Sequence, residues 1–467
     1  MKRKSGVLLH VSSLPGHYSV GSLGKEAMDF IDFLSDSGFS FWQVLPFCIP
    51  DVYGSPYKSP ASFGLNPYFI DLPTLYEEGL LTYGELLSAR EESPYLCEYE
   101  RLARERIDLL YLAAMRVRDR SEIIDFIKAN SEISLAAEFM ARRECVGESY
   151  TDRLFLWQFM QYKFIEQWGR VKKYAEKRSV SIIGDIPMYV DLDSADVWAH
   201  PEEFLLDKKG HPTAVAGVPP DYFSADGQLW GNPLYDIEGM RKRDFSFWRA
   251  RIRHSLSLFD GARIDHFRAF ESYYFIPAFA KSAREGRWDV GGGRELVRAI
   301  LEEAGDAPMI AEDLGDITDG VRALLNYSGM PGMRVFQFAF LGYGDTPHLP
   351  HNWGKHTVAY TGTHDNNTLL GYIWELDRNT RRRVFDYVGY FGEDFSEGLR
   401  RIIRTVMASH SDTVIFPIQD ILGFGADTRM NTPGMSCGNW RYRITREQLN
   451  SVERESLKRL NSLYGRI

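Results

Sequence analysis

The chain has 467 residues, 44% hydrophobic and 25% charged, with a formal net charge of −9. A chain of this size buries about three quarters of its unfolded surface, which excludes a disulfide-stapled miniprotein and an extended disordered polymer. Lys and Arg are scattered, without the basic face of a nucleic-acid binder or the polybasic cluster of a membrane-surface protein, and no apolar run approaches the ~20 residues of a membrane span.

Four cysteines, Cys48, Cys97, Cys145 and Cys437, lie far apart with no CxxC pair, as expected for reduced thiols in a cytoplasmic protein. The opening Met1-Lys-Arg-Lys4 and the apolar run 7–11 mimic a signal peptide, but His10 interrupts the run and Ser-Ser-Leu-Pro follows instead of a cleavage pattern. Aromatic residues make up 14% of the chain, and Trp and Tyr near polar loops suit stacking on sugar rings.

The first strand is expected over 6–10, followed by an amphipathic helix over 25–37 that stops at Gly38, and a second strand over 39–45. Residues 72–161 read as a mainly helical insertion between strands 2 and 3, because Leu102, Ile107, Leu110 and Leu112 follow helical periodicity. A helix over 153–178 leads to strand 3 at 180–185. Residues 191–243, rich in Pro, Gly and Asp, read as a loop-rich insertion between strands 3 and 4. A helix over 245–259 precedes strand 4 at 261–265, and one over 293–304 precedes strand 5 at 309–312. A helix over 318–325, strands at 333–338 and 357–361, a helix over 379–387 and a strand at 413–417 complete the series. Eight strands alternating with helices predict one α/β unit over 1–467, a (β/α)8 TIM barrel. Residues 418–467 are too few for a C-terminal β-sandwich domain.

Active sites of such barrels lie where strands end, and the strand ends here carry Asp185, Asp265, Glu312 with Asp313, Asp365 and Asp420. One carboxylate after a strand is often only a helix cap. Several on one rim cost free energy unless they bind a cation or do acid–base work. GxGxxG, GxxxxGK[ST] and HExxH are all absent. The segment Asp191-Leu-Asp193 begins like a calcium loop, but Ala195 and Asp196 replace the third ligand and the required glycine. Gly434-Met-Ser436-Cys-Gly438 matches a nucleophile elbow, yet the last histidine, His410, precedes it. Arg263 and Asp265 lie two apart on a strand and so share a face. The guanidinium would hold the carboxylate ionised, as a nucleophile requires, or form an ordinary strand-end ion pair. Strand alternation lets only one of Glu312 and Asp313 face the barrel axis. His364 and Asp365 could hydrogen-bond substrate hydroxyls or serve as a satisfied His and a cap.

Arg263-Ile-Asp-His266, Ala311-Glu-Asp-Leu-Gly315 and Gly362-Thr-His-Asp365 resemble the catalytic motifs of the amylomaltases, the disproportionating 4-α-glucanotransferases of the α-amylase clan. The resemblance starts with Ser5-Gly-Val-Leu-Leu-His-Val-Ser-Ser-Leu-Pro-Gly16, Gly54-Ser-Pro-Tyr57 and Asn66-Pro-Tyr68. It continues through Gly184-Asp-Ile-Pro187, Val197-Trp-Ala-His200, Gly217-Val-Pro-Pro-Asp-Tyr-Phe223 and Gly227-Gln-Leu-Trp-Gly-Asn-Pro233, and ends with Asn431-Thr-Pro-Gly434 and Asn439-Trp-Arg441. It implies transfer of α-1,4-glucan segments between malto-oligosaccharides by a retaining double displacement, with no cofactor and no metal. Asp265 matches the nucleophile, Glu312 the acid/base and Asp365 a third carboxylate that holds ring hydroxyls. Arg263 and His364 match groups supporting the nucleophile and transition state, and Tyr57, Asp185, Trp230, Asn232 and His266 match substrate-binding positions. Trp230 would belong to the part of 191–243 that covers the cleft. The implied partners are malto-oligosaccharides and glucans from starch or glycogen, with neither nucleic acid nor membrane. Met435 departs from the family's common threonine, and the match over 72–161 is diffuse. A hydrolase of the same clan would use the same residues; a non-catalytic starch-binding protein would not need all three carboxylates.

Overall fold

Twelve strands occur among the described residues of the computed structural model, which are 3–145, 149–220, 226–435 and 437–467. In chain order they are β1 (Lys4–Leu8), β2 (Phe41–Gln43), β3 (Ser181–Ile186), β4 (Ala214–Val218), β5 (Gln228–Pro233) and β6 (Gly261–Ile264). Then come β7 (Ser272–Pro277), β8 (Arg287–Val290), β9 (Met309–Ala311), β10 (Gly332–Val335), β11 (Thr357–Tyr360) and β12 (Thr413–Pro417). Eight of them close a parallel barrel in the order β1-β12-β11-β10-β9-β6-β3-β2, and each overlaps a run expected as a strand. These strands are nearly continuous apolar runs, such as Thr-Val-Ala-Tyr in β11, because parallel strands are covered on both faces. Helices Lys25–Asp36, Ser246–Leu258, Gly293–Ala304, Asp319–Ser328 and Arg378–Tyr387 stand close to their expected positions. Gly38 and Gly305 end two helices with φ of +76° and +54°, a turn that a side chain would resist.

Part of the aromatic content is core. Phe47 meets Trp168 and Phe259 with ring centroids 4.8 Å apart in both pairs. The indole N–H groups of Trp42 and Trp168 donate to the carbonyls of Leu9 (2.7 Å) and Leu258 (2.8 Å), so these large rings are buried with their polar atoms satisfied.

The described residues of 72–161 are mainly helical, and the longest helix, Tyr150–Lys177, continues to the start of β3. The stretch 191–243, read as loop-rich, also holds regular elements. β4 and β5 lie within it and join β7 and β8, which follow the fourth barrel strand, in an antiparallel sheet ordered β5-β4-β7-β8. Ala-Val-Ala-Gly-Val and Gln-Leu-Trp-Gly-Asn-Pro are poor in β-branched residues, and the ladder slips between Val215 and Gly217, so no clean alternation marks these strands. Asp221, Tyr222 and Phe223 of the Gly217–Phe223 motif, and Ser436 of the elbow-like segment, lie outside the described residues. No described helix is long and apolar enough to cross a membrane.

The end of the chain bolts the barrel shut. Arg466, fully buried, donates to the carbonyls of Met407, Lys4, Asp412, Ser409 and Ser411 at 2.9–3.4 Å, bridging the beginnings of β1 and β12. Hydrogen bonds to a charged donor contribute about 1.5–3 kcal/mol, and orphaned buried carbonyls add a further cost. Arg466→Met is therefore expected to lower the unfolding free energy by about 3 kcal/mol in urea denaturation; a loss below about 0.5 kcal/mol, the range of neutral surface changes, would contradict this role.

Candidate active site

Strand register sets the site. Asp185 on β3 stands beside Arg263 on β6, and Ile264 beside Ala311 on β9. Asp265 and Glu312 are each the next residue, so they leave neighbouring strands side by side at the C-terminal rim. Their backbone N–H groups extend the ladder, to Ile186 and Ile264 respectively, at 3.0 Å.

Arg263 is buried and held between two carboxylates. Its Nη1 donates to both carboxylate oxygens of Asp185 at 2.8 Å, and its Nη2 donates to Oδ1 of Asp265 at 2.9 Å. Burial opposes the guanidinium charge, but the carboxylates of Asp185 and Asp265 outweigh it and strengthen Arg263's hold on its proton. Asp185 is buried, which raises its carboxyl above the usual range while Arg263 pulls it back. The Tyr57 hydroxyl donates to Oδ2 of Asp185 at 2.7 Å. Burial and then the charge of Asp185 push this hydroxyl far above the normal tyrosine range; Asp265 and Asp365 add to the effect.

Glu312 accepts from the backbone N–H of His266 at 2.7 Å and of Leu314 at 3.0 Å. Burial pushes its carboxyl up to about 8; Arg263 counters this and the neighbouring Asp265 charge adds to it. Asp313 turns the other way, taking N–H donors from Met333 (2.5 Å) and Arg334 (3.0 Å) on β10. Alternation thus separates the two adjacent carboxylates, with Glu312 on the side of Asp265. His266 holds a left-handed backbone, φ +46°, a strained conformation for a non-glycine residue that aims its N–H at Glu312.

Asp365 follows β11 and is half-exposed. Its Oδ1 lies 3.4 Å from Nε2 of His364 and accepts from Nδ2 of Asn431 at 2.6 Å. The His364 ring stacks on Tyr57 with centroids 5.0 Å apart and planes 10° from parallel. Trp230, on β5, is partly exposed with its ring edge-on to His266 at 5.3 Å. Asn232 spends its amide N–H on the carbonyl of Val190 at 2.8 Å, anchoring β5 to the segment after β3. Asp420, also on the rim by sequence, accepts from the Thr361 hydroxyl (2.5 Å) and the Leu369 N–H (2.7 Å), at the start of helix Leu369–Glu375. It secures that helix rather than joining the cluster.

Sequence reasoning missed Asn431 and Arg429. Arg429 donates to the carbonyls of Asp365 (2.6 Å) and Asn431 (2.7 Å), pinning the segment after β12 to the loop after β11. The only signal was Asn431-Thr-Pro-Gly434, matched as a motif without an assigned role.

A closed parallel barrel whose C-terminal rim gathers carboxylates, an arginine and aromatic rings suits an enzyme acting on glycosidic bonds. The family model for 4-alpha-glucanotransferase matches residues 9–448. The 4-alpha-glucanotransferase of Streptococcus pneumoniae is 40% identical over 496 residues, covering 100% of this chain and 98% of that protein. The chloroplastic/amyloplastic 4-alpha-glucanotransferase of Arabidopsis thaliana is 41% identical over 501 residues, covering 100% and 86%. A solved amylomaltase from Streptococcus agalactiae, in complex with acarbose, aligns with a TM-score of 0.95 at 35% identity over 100% of both chains. The chain belongs to the 4-alpha-glucanotransferase family and is an enzyme of that activity.

The raised Glu312 carboxyl makes stability depend on pH. Its proton leaves near 4.5 in the unfolded chain and near 8 in the folded one, so the native state binds more protons across that window. The stabilisation is complete below the lower value and is lost as pH rises through the upper one. Relative to Glu312→Gln, the wild-type unfolding free energy is expected to fall by up to about 1.4 kcal/mol per pH unit across this range. Urea titrations of both proteins near its two ends test this; a flat or rising difference would contradict it.

Proposed function

We propose that this enzyme moves α-1,4-glucan segments between malto-oligosaccharides by a retaining double displacement, drawing its glucans from starch or glycogen. The observation that carries the reading is the pair Asp265 and Glu312, leaving adjacent strands with Arg263 bound to the first and two backbone N–H groups on the second. Retention calls for carboxyl groups about 5–5.5 Å apart, inversion for about 6.5–9.5 Å. Adjacent strands lie only ~4.8 Å apart, which favours the shorter spacing.

In the first step a carboxylate oxygen of Asp265 attacks the anomeric carbon. The bond to the departing chain breaks, Glu312 gives its proton to the leaving oxygen, and a β-linked glycosyl ester remains on Asp265. In the second step Glu312 takes the proton of an acceptor hydroxyl, whose oxygen attacks the anomeric carbon and frees Asp265. Burial suits Glu312 to hold its proton near neutral pH. Asp365 and His364 hold ring hydroxyls of the reacting sugar, Tyr57 offers its ring face, and Asp185 steadies Arg263. Trp230, His266 and Asn232 belong to the side where β5 covers the cleft, keeping water out so that a sugar acceptor competes. The enzyme works in the cytoplasm, in keeping with the buried thiols of Cys48 and Cys97.

Maltotriose alone is expected to yield glucose together with chains longer than the substrate, read by product sizing. Hydrolysis cannot lengthen a chain, so glucose and maltose as sole products would overturn the transfer reading. Glu312→Gln is expected to cut the rate on maltotriose by about 10²–10⁴-fold, yet to spare the first step on a donor with an activated leaving group. Asp313→Asn, which weakens the contact to Arg334, should show no such leaving-group dependence; if it alone does, the acid/base assignment is reversed.

A further inference from the structure

The helical stretch 72–161 is joined to the site by a short ribbon. Residues 95–97 run antiparallel to 441–443: the Cys97 N–H donates to the Arg441 carbonyl (2.7 Å), the Arg443 N–H to the Tyr95 carbonyl (2.9 Å), and Leu96 bridges Tyr442. Ion pairs flank it, Arg441 with Glu100 and the buried Arg443 with Glu91 at 2.6 Å. At its end the Tyr99 hydroxyl donates to the Trp440 carbonyl at 3.2 Å.

Two features show what the ribbon holds. Trp440 has φ +67°, a left-handed backbone that a bulky residue adopts only when its surroundings impose it. Its ring, almost wholly buried, packs against both members of the stacked pair, 5.7 Å from Tyr57 and 5.9 Å from His364. The Tyr99 ring meanwhile fills the space beside Gly54, where a Cβ would lie 2.3 Å from it, three residues before Tyr57. Tyr99 therefore seats the loop that carries Tyr57 and the segment that carries Trp440.

We propose that Trp440 is a positioning residue, fixed in its strained conformation by Tyr99 and the ribbon, and that it braces the Tyr57–His364 stack against the donor sugar. This gives the helical stretch a direct part in the chemistry. It rests on the reading of Tyr57 and His364 as sugar-contacting groups. Displacing such groups by about 1 Å costs on the order of 10²-fold in rate.

The test compares full-length wild type with Trp440→Ala, Trp440→Phe and Tyr99→Phe, measuring kcat on maltotriose, KM for glucose as acceptor, and melting temperature. Trp440→Ala is expected to lower kcat about 10²-fold, Trp440→Phe to restore most of it, and Tyr99→Phe to lower it several-fold. The KM for glucose should stay at the wild-type value in all three. A Trp440→Ala kcat within about twofold of wild type, a loss that Trp440→Phe fails to restore, or an effect confined to melting temperature would overturn the proposal. Should Trp440→Ala fail to fold, Tyr99→Phe decides, since it removes a single hydroxyl and an unchanged kcat refutes the bracing. Wild type in the same assay reports on the transfer reading: if it makes no longer chains that reading fails, whereas active wild type with unaffected variants sinks the brace alone.

Discussion

Arg263 sits inside the top of the barrel with one guanidinium nitrogen on both oxygens of Asp185 and another on Asp265. A buried charge is tolerated only when paired and hydrogen-bonded, and removing a partner typically costs about 3–5 kcal/mol. The rest of the rim is arranged around this requirement. Asp185 is consumed by Arg263 and by Tyr57, which orients the tyrosine ring; that ring carries His364, and His364 neighbours Asp365. Asp265 is left with one oxygen on Arg263 and a partly exposed carboxylate to offer.

Glu312 lives under the opposite regime. Its carboxyl accepts from two backbone N–H groups, no ion pair reaches it among the described residues, and burial dominates over the pull of Arg263. Two carboxylates that follow adjacent strands thus differ in surroundings: one is beside a fixed cation and partly exposed, the other desolvated. That division is what acid–base chemistry on one rim requires. The left-handed backbone of His266 is the local cost of placing an N–H against Glu312 immediately after Asp265.

Much of this was legible in the chain because parallel-barrel strands are short apolar runs and because side chains alternate with period two. Arg263 and Asp265 could be placed on one face from spacing alone, and Glu312 and Asp313 on opposite faces. Which of the latter faced the cluster needed the register between β6 and β9, a property of two strands and not of either. β4 and β5 escaped because glycine, alanine and proline blur alternation, and because β7, which pairs with β4, lies beyond the fourth barrel strand. Asp420 looked like the other rim carboxylates, and only its contacts with Thr361 and Leu369 distinguish it. Tyr99 and Trp440, 341 positions apart, meet through a pairing that no local pattern encodes.

The central claim is that at neutral pH Glu312 keeps its proton on a rim shared with Asp265. Difference infrared spectroscopy of the carboxyl stretch at neutral pH tests it directly. A protonated-carboxyl band present in wild type should vanish in Glu312→Gln and persist in Asp265→Asn. A band that survives Glu312→Gln and disappears in Asp265→Asn would contradict the account.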